Sequence, residues 1–120
     1  MPQPETRSSL PADYEAQLRD SHLRPLWLAN VSAVMRAEPG QPLRRAQPHV
    51  WPWRTVRERL LKAGELVDVE QAERRVLILI NPGHASPDGM SADSSLFVGA
   101  QLVLPGETTS RHRHSAAASR

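Results

Sequence analysis

The residues Gly106-Glu-Thr-Thr-Ser-Arg-His112-Arg-His114 set two histidines one position apart behind a glycine turn. In an extended strand, residues i and i+2 point to the same side, so His112 and His114 can offer adjacent imidazoles to one metal ion. Imidazole pairs suit iron, zinc, copper or nickel, so the dyad alone does not select the metal. Two other readings stay open on these residues. A tail of Ser, Thr, Ala and Arg can carry solvated histidines that hold nothing. The Arg-His-Arg-His run can also touch phosphate, although four positions release few counterions. The metal reading gains from order, because a strand, a Pro-Gly turn and the dyad follow one another. His22, His49 and His84 stand apart in sequence and read as surface or packing histidines.

The elements that must position the dyad can be traced along the chain. Residues 1–11 read as a disordered lead-in. Tyr14, Leu18 and His22 mark one face of a helix from Ala12 to about Arg24, and Pro25 either kinks it or opens a second helix. Trp27, Val31, Val34 and Met35 continue an amphipathic stripe that stops at Glu38-Pro-Gly-Gln-Pro42. A proline-rich loop with His49, Trp51 and Trp53 follows, and the tryptophans are expected to pin it to the helical layer. Thr55 and Glu58 suggest a capping box for a helix through Ala63, with Gly64 as its C-terminal cap. Asp68 and Gln71 repeat the capping pattern for a short turn up to Arg74.

From Arg75 the period changes. Arg75–Ile80 reads as a strand closed by Asn81-Pro-Gly83. A second strand is expected over about 95–104. Its alternation puts Leu96, Val98, Ala100, Leu102 and Leu104 on one face, and Phe97, Gly99, Gln101 and Val103 on the other. Gln101 thereby shares a face with a glycine and an aromatic, as a cavity lining would. The fold class is α+β: a helical N-terminal region over 12–74, then the first strands over 75–120.

Composition bounds the function. The chain has 120 residues, net charge +2 and a single lysine, Lys62. Arg57, Arg59, Arg74 and Arg75 alternate with Glu58, Glu65, Glu70 and Glu73, a mixed solvated face with no clustered cations, so no nucleic-acid partner is expected. With no cysteine there is no disulfide framework and no thiolate metal site. The polar start of the chain lacks a signal-peptide core, and Val76–Ile80 is too short to span a bilayer, so a cytoplasmic protein without membrane contact is expected.

Several words of the sequence, in order, carry a resemblance. They are His49-Val-Trp51, Leu60-Leu-Lys-Ala-Gly-Glu-Leu66, Ala72-Glu-Arg-Arg-Val-Leu77, Asn81-Pro82, Gly99-Ala-Gln101-Leu, Leu104-Pro-Gly-Glu107 and His112-Arg-His114. Gly-x5-His-x-His resembles the opening of the first cupin motif. Together these words resemble the N-terminal part of the gentisate 1,2-dioxygenase and 1-hydroxy-2-naphthoate dioxygenase family, over about residues 12–120. The resemblance implies the start of a cupin (double-stranded β-helix) barrel, incomplete in this chain. It implies a non-haem Fe(II) held by three histidines, and substrates that are a hydroxylated aromatic acid and dioxygen. By match, His112 and His114 resemble the first two iron ligands, with the third histidine absent from this chain. Gln101 and Arg120 resemble pocket residues, Arg120 as an arginine that holds the substrate. Arg74 and Arg75 fall in the family's arginine pair, of which one serves the same anion or forms an ordinary ion pair. A guanidinium suits a carboxylate because its planar fork meets both oxygens.

Two departures from the family pattern stand out. Phe97 replaces a Tyr or Trp, and Ser119 replaces an apolar residue before Arg120. The expectation is therefore an N-terminal fragment of a ring-cleaving dioxygenase, homo-oligomeric in its full-length form and inactive alone. The alternative is a non-enzymatic fragment that associates with an intact dioxygenase subunit. The choice among gentisate, salicylate and hydroxynaphthoate is not written in this stretch.

Overall fold

Helix α1 (Ala12–Asp20) starts behind Pro11, carries Asp13 and Glu15 in its first turn and Arg19 in its last, and so matches its own dipole. Its buried residues are Tyr14 and Leu18, four apart on one face. The computed structural model describes residues 10–28, 46–84, 96–113 and 119. Residues 1–9 of the expected lead-in lie outside these, and so do Val31, Val34 and Met35 of the expected second helix. Leu10, just before α1, is buried in the core.

The expected continuation of α1 to Arg24 does not occur. The helix ends at Ser21, and Leu23–Pro25 forms a short strand, β1, followed by a 3-10 turn at Leu26–Leu28. Pro25 explains the outcome, since it cannot donate to a ladder and is tolerated at a sheet edge. The reversal passes through His22, whose φ of 54° is unusual for a non-glycine residue. Its carbonyl accepts from the backbone N–H of Ile80 at 2.9 Å and from Trp51 Nε1 at 3.1 Å. Two tertiary hydrogen bonds thus hold the strained residue in place.

Helix α2 (Trp53–Leu66) begins two residues before the expected cap, behind Pro52, and has no side-chain cap. Thr55 and Glu58 lie within its first turns instead of bracketing its start. Val56, Leu60 and Ala63 are buried at i, i+4 and i+7. Gly64 is not a C-terminal cap but an interior residue, and a Cβ there would lie 2.7 Å from Leu102 Cδ2. The glycine lets the last strand approach the helix. Helix α3 (Val69–Ala72) is capped as the sequence indicates: Asp68 Oδ1 accepts from Gln71 N at 2.7 Å, and Gln71 Oε1 accepts from Asp68 N at 3.3 Å.

Strands β2 (Arg75–Leu79) and β3 (Gly99–Leu102) complete an antiparallel sheet of order β1-β2-β3. The region expected to be helical therefore supplies one edge of the sheet. Register pairs Arg75 with Leu102 and Val76 with Gln101. One face carries Leu77 and Leu102 against α2 and the α1 residues Tyr14 and Leu18, which together form the main core. Each fully buried aliphatic side chain in it contributes about 2 kcal/mol. Tyr14 brings a phenol into this core, and its hydroxyl donates to the Arg59 carbonyl at 2.7 Å. Burial pushes its pKa up to about 12, against a lowering by the Arg59 charge. Among the described residues, no helix is long and apolar enough to cross a membrane.

Candidate functional site

Arg74 and Arg75 are adjacent in sequence and part company in space. Strand geometry turns Arg75 toward α2, where it is 1% exposed. There Nη1 donates to the Val67 carbonyl at 3.1 Å and Nη2 pairs with Glu107 Oε1. The same Glu107 oxygen accepts from Leu104 N at 2.7 Å, and Glu107 N donates to the Leu104 carbonyl at 3.0 Å. Gly106, with φ of +82°, makes that tight turn accessible. Arg75 thus fixes the turn that leads into the histidine segment.

Arg74 points the other way. It shares a concavity of about 770 Å³ with Gln101, Val103, Thr109, Ser110, Arg111, His112 and Arg113. Its Nη2 donates to the Ser110 carbonyl and lies 2.6 Å from His112 Nδ1. Gln101 reaches the same space because it pairs with Val76 on the face opposite Leu102. Three residues singled out in the sequence, Arg74, Gln101 and His112, are therefore brought together from positions far apart in the chain. Arg75 does not line the concavity. His114 and Arg120 lie outside the described residues.

Sequence reasoning passed over Arg111, Arg113, Thr109 and Ser110 as pocket residues. A signal was present: no acidic residue occurs between Glu107 and Arg120. Among the described residues, the concavity's lining holds three arginines and no carboxylate. It therefore favours an anion, which gains charge-assisted hydrogen bonds from guanidinium groups. Thr109, Ser110 and Gln101 add neutral polar groups, and Val103 adds an apolar wall.

In the concavity, His112 is the one imidazole among the described lining residues. Among the described residues, no three of His, Cys, Asp and Glu gather closely enough to bind a metal ion. Arginine has donors only, so His112 Nδ1 accepts from Arg74. A neutral imidazole that accepts at Nδ1 carries its hydrogen on Nε2.

Two other histidines, His22 and His49, form a separate cluster. Though the two are far apart in sequence, their ring centroids lie 4.9 Å apart, edge to face. His49 meets Trp51 in the same manner at 4.5 Å. Trp51 pins the loop to the His22 carbonyl, whereas Trp53 is 65% exposed and pins nothing. Asn81 clamps the same loop, with Nδ2 donating to the Gln47 carbonyl and Oδ1 accepting from Gln47 N, each at 2.8 Å. This cluster packs a loop and lies outside the concavity.

Comparison with known proteins gives a consistent answer. The chain is 46% identical over 106 residues to a gentisate 1,2-dioxygenase of Ralstonia sp, covering 88% of this chain and 29% of that protein. It is 38% identical over 108 residues to gentisate 1,2 dioxygenase 1 of Aquipseudomonas alcaligenes, covering 90% and 29%. It is 36% identical over 115 residues to a 5-aminosalicylate 1,2-dioxygenase of Comamonas sp, covering 95% and 29%. No family model and no solved structure matches. The chain spans less than a third of the length of these curated relatives. Within that span, its sequence belongs to the gentisate 1,2-dioxygenase family.

Proposed function

We propose that the chain is the N-terminal portion of a cupin-type, non-haem Fe(II) ring-cleaving dioxygenase for hydroxylated aromatic acids such as gentisate, and that it is inactive alone. The observation that carries this reading is the concavity shared by Arg74, Gln101 and His112. In it, guanidinium groups receive the carboxylate of the acid, Gln101 offers hydrogen bonds to its ring hydroxyls, and Val103 meets the ring. His112 and His114 are the metal donors this portion contributes, with the third histidine outside it. Arg120 joins the anion-binding side. Arg75 serves the turn through Glu107 instead of the substrate. Two donors leave a metal weakly held and open to water, which accounts for the expected inactivity.

The test is a chimera in which this chain replaces the matching stretch of the Ralstonia relative. Gentisate-dependent oxygen uptake should persist in the chimera and vanish on His112→Ala or His114→Ala. The isolated chain with added Fe(II) should show none. Full activity in a folded chimera lacking both histidines would exclude them as metal donors.

A second reading, association with an intact dioxygenase subunit, is favoured by one observation. Leu96, Phe97, Val98, Val103 and Leu104 are exposed along and beside β3, at the edge of the sheet. Such an apolar edge is suited to pairing with another polypeptide. Co-purification with an intact subunit, lost on Phe97→Asp, would support it.

A further inference from the structure

The concavity beside β3 carries more positive charge than one carboxylate neutralises. Among the described residues its lining holds Arg74, Arg111 and Arg113 and no acidic side chain. Arg74 is engaged by the Ser110 carbonyl and His112. Arg111 and Arg113, two positions apart in the chain, have no hydrogen-bond or ion-pair partner among the described residues. The carboxylate nearest to them in sequence, Glu107, is taken by Arg75, and no acidic residue follows it up to Arg120. Like charges on one concave wall repel, and a bound anion relieves that repulsion. We propose that Arg111 and Arg113 form a second anion subsite, so that the concavity prefers a dicarboxylate to a monocarboxylate and holds the ring-opened product more tightly than the acid. The inference rests on the ring-cleavage reading above.

The chemistry of that reading changes the charge of its ligand. Consider an acid whose hydroxyl sits on the ring carbon next to the carboxyl-bearing one. Dioxygen is the oxidant: the bond between these two carbons breaks, and each carbon takes one oxygen atom. The hydroxyl-bearing carbon becomes a carboxylate, the other becomes a ketone beside the original carboxylate, and one proton goes to solvent. A monoanion has become a dianion. The entering acid uses one guanidinium fork and leaves the remaining cations without a counter-charge. The product can engage the second subsite as well, through a second set of charge-assisted hydrogen bonds. A volume of about 770 Å³ has room for such an acid. The site therefore retains what it makes, and the product inhibits until a following reaction consumes the dicarboxylate.

Sorbate and muconate test the subsite without reference to activity, because they share a six-carbon diene chain and differ in the second carboxylate. Each is titrated into this chain at fixed ionic strength near neutral pH, and binding is read from the backbone amides of Gln101 and Ser110–Arg113. Muconate should bind roughly tenfold more tightly than sorbate, the scale of one added charge-assisted hydrogen bond. Arg111→Gln combined with Arg113→Gln should bring the ratio of the two affinities close to one. Far-UV circular dichroism checks that this variant is folded, and each single substitution should lower the ratio part of the way. Equal affinities in the wild type would overturn the second subsite and leave the ring-cleavage reading standing, as would a preference that survives the double substitution. Sulfate competing as strongly as muconate would also overturn it, by reducing the subsite to a bare cationic patch. If gentisate and both acids leave these amides unmoved, the concavity is no acid site, and the reading falls together with the inference.

Discussion

The two faces of the small sheet invite comparison, and two neighbouring arginines mark the difference. On the helix-backed face, Arg75 is buried and held through Nη1 and Nη2 by the Val67 carbonyl and Glu107, while its buried Nε has no partner among the described residues. On the opposite face, which buries Val76 and Ile78 but opens beside Gln101, Arg74 stands beside His112 in a concavity with Arg111 and Arg113. One cation is used to hold a turn, and the other is kept where an anion can reach it. A single step in strand parity separates structure from chemistry. The comparison teaches that the arginine pair has no common role: its members belong to different layers of the molecule.

The comparison can be broken most forcefully at Arg75. Arg75→Ala should cost about 3–5 kcal/mol in urea unfolding, because it strands a largely buried Glu107 carboxylate. A cost under about 1 kcal/mol, the range of an exposed pair, would remove the contrast. Glu107→Gln should be less severe, since an amide oxygen still accepts from Arg75 and from Leu104 N.

Tyr14 sharpens the same packed face. Its pKa is raised to about 12 from the ordinary phenol value of 10.0, chiefly by burial. A raised folded-state pKa favours the protonated phenol in the fold. Stability is thus complete below pH 10.0 and falls as pH rises toward about 12. The loss over that window should be roughly 3 kcal/mol. Tyr14→Phe should flatten it while costing about 1 kcal/mol near neutrality, through the missing hydrogen bond to Arg59. An alkaline stability profile unchanged by Tyr14→Phe would contradict this assignment.

The smallest effect is expected on the open face. Arg74→Ala should change unfolding free energy by less than about 1 kcal/mol, since the side chain is partly exposed and buries no partner. A loss matching that of Arg75→Ala would mean that Arg74, too, is part of the frame.

Parts of this contrast were legible in the sequence. The alternation through Gly99–Leu102 separates Gln101 from Leu102, and the register follows it, because a half-buried strand writes its two faces into residue type. The Asp68–Gln71 capping box was equally local and equally visible. Strand β1 was not. Three residues ending in proline carry no strand signal, and their pairing with β2 is decided some fifty positions away. Arg75 and Glu107 were each visible, but their pairing across the intervening loop was not, since no local pattern encodes it. Gly64 misled for a related reason. It was read as a helix end, whereas the approach of Leu102 from a distant strand requires it inside α2. Local chemistry was readable, and long-range contact was not.

The most direct test of the open face as an aromatic-acid site is a gentisate titration of this chain followed by backbone amide shifts. The account predicts saturable shifts at Gln101 and across Ser110–Arg113, with the buried residues Leu60 and Leu77 unmoved, and marked weakening on Arg74→Met. Shifts confined to the helix-backed face, or none at Gln101 and His112 at concentrations that saturate the full-length relatives, would contradict it.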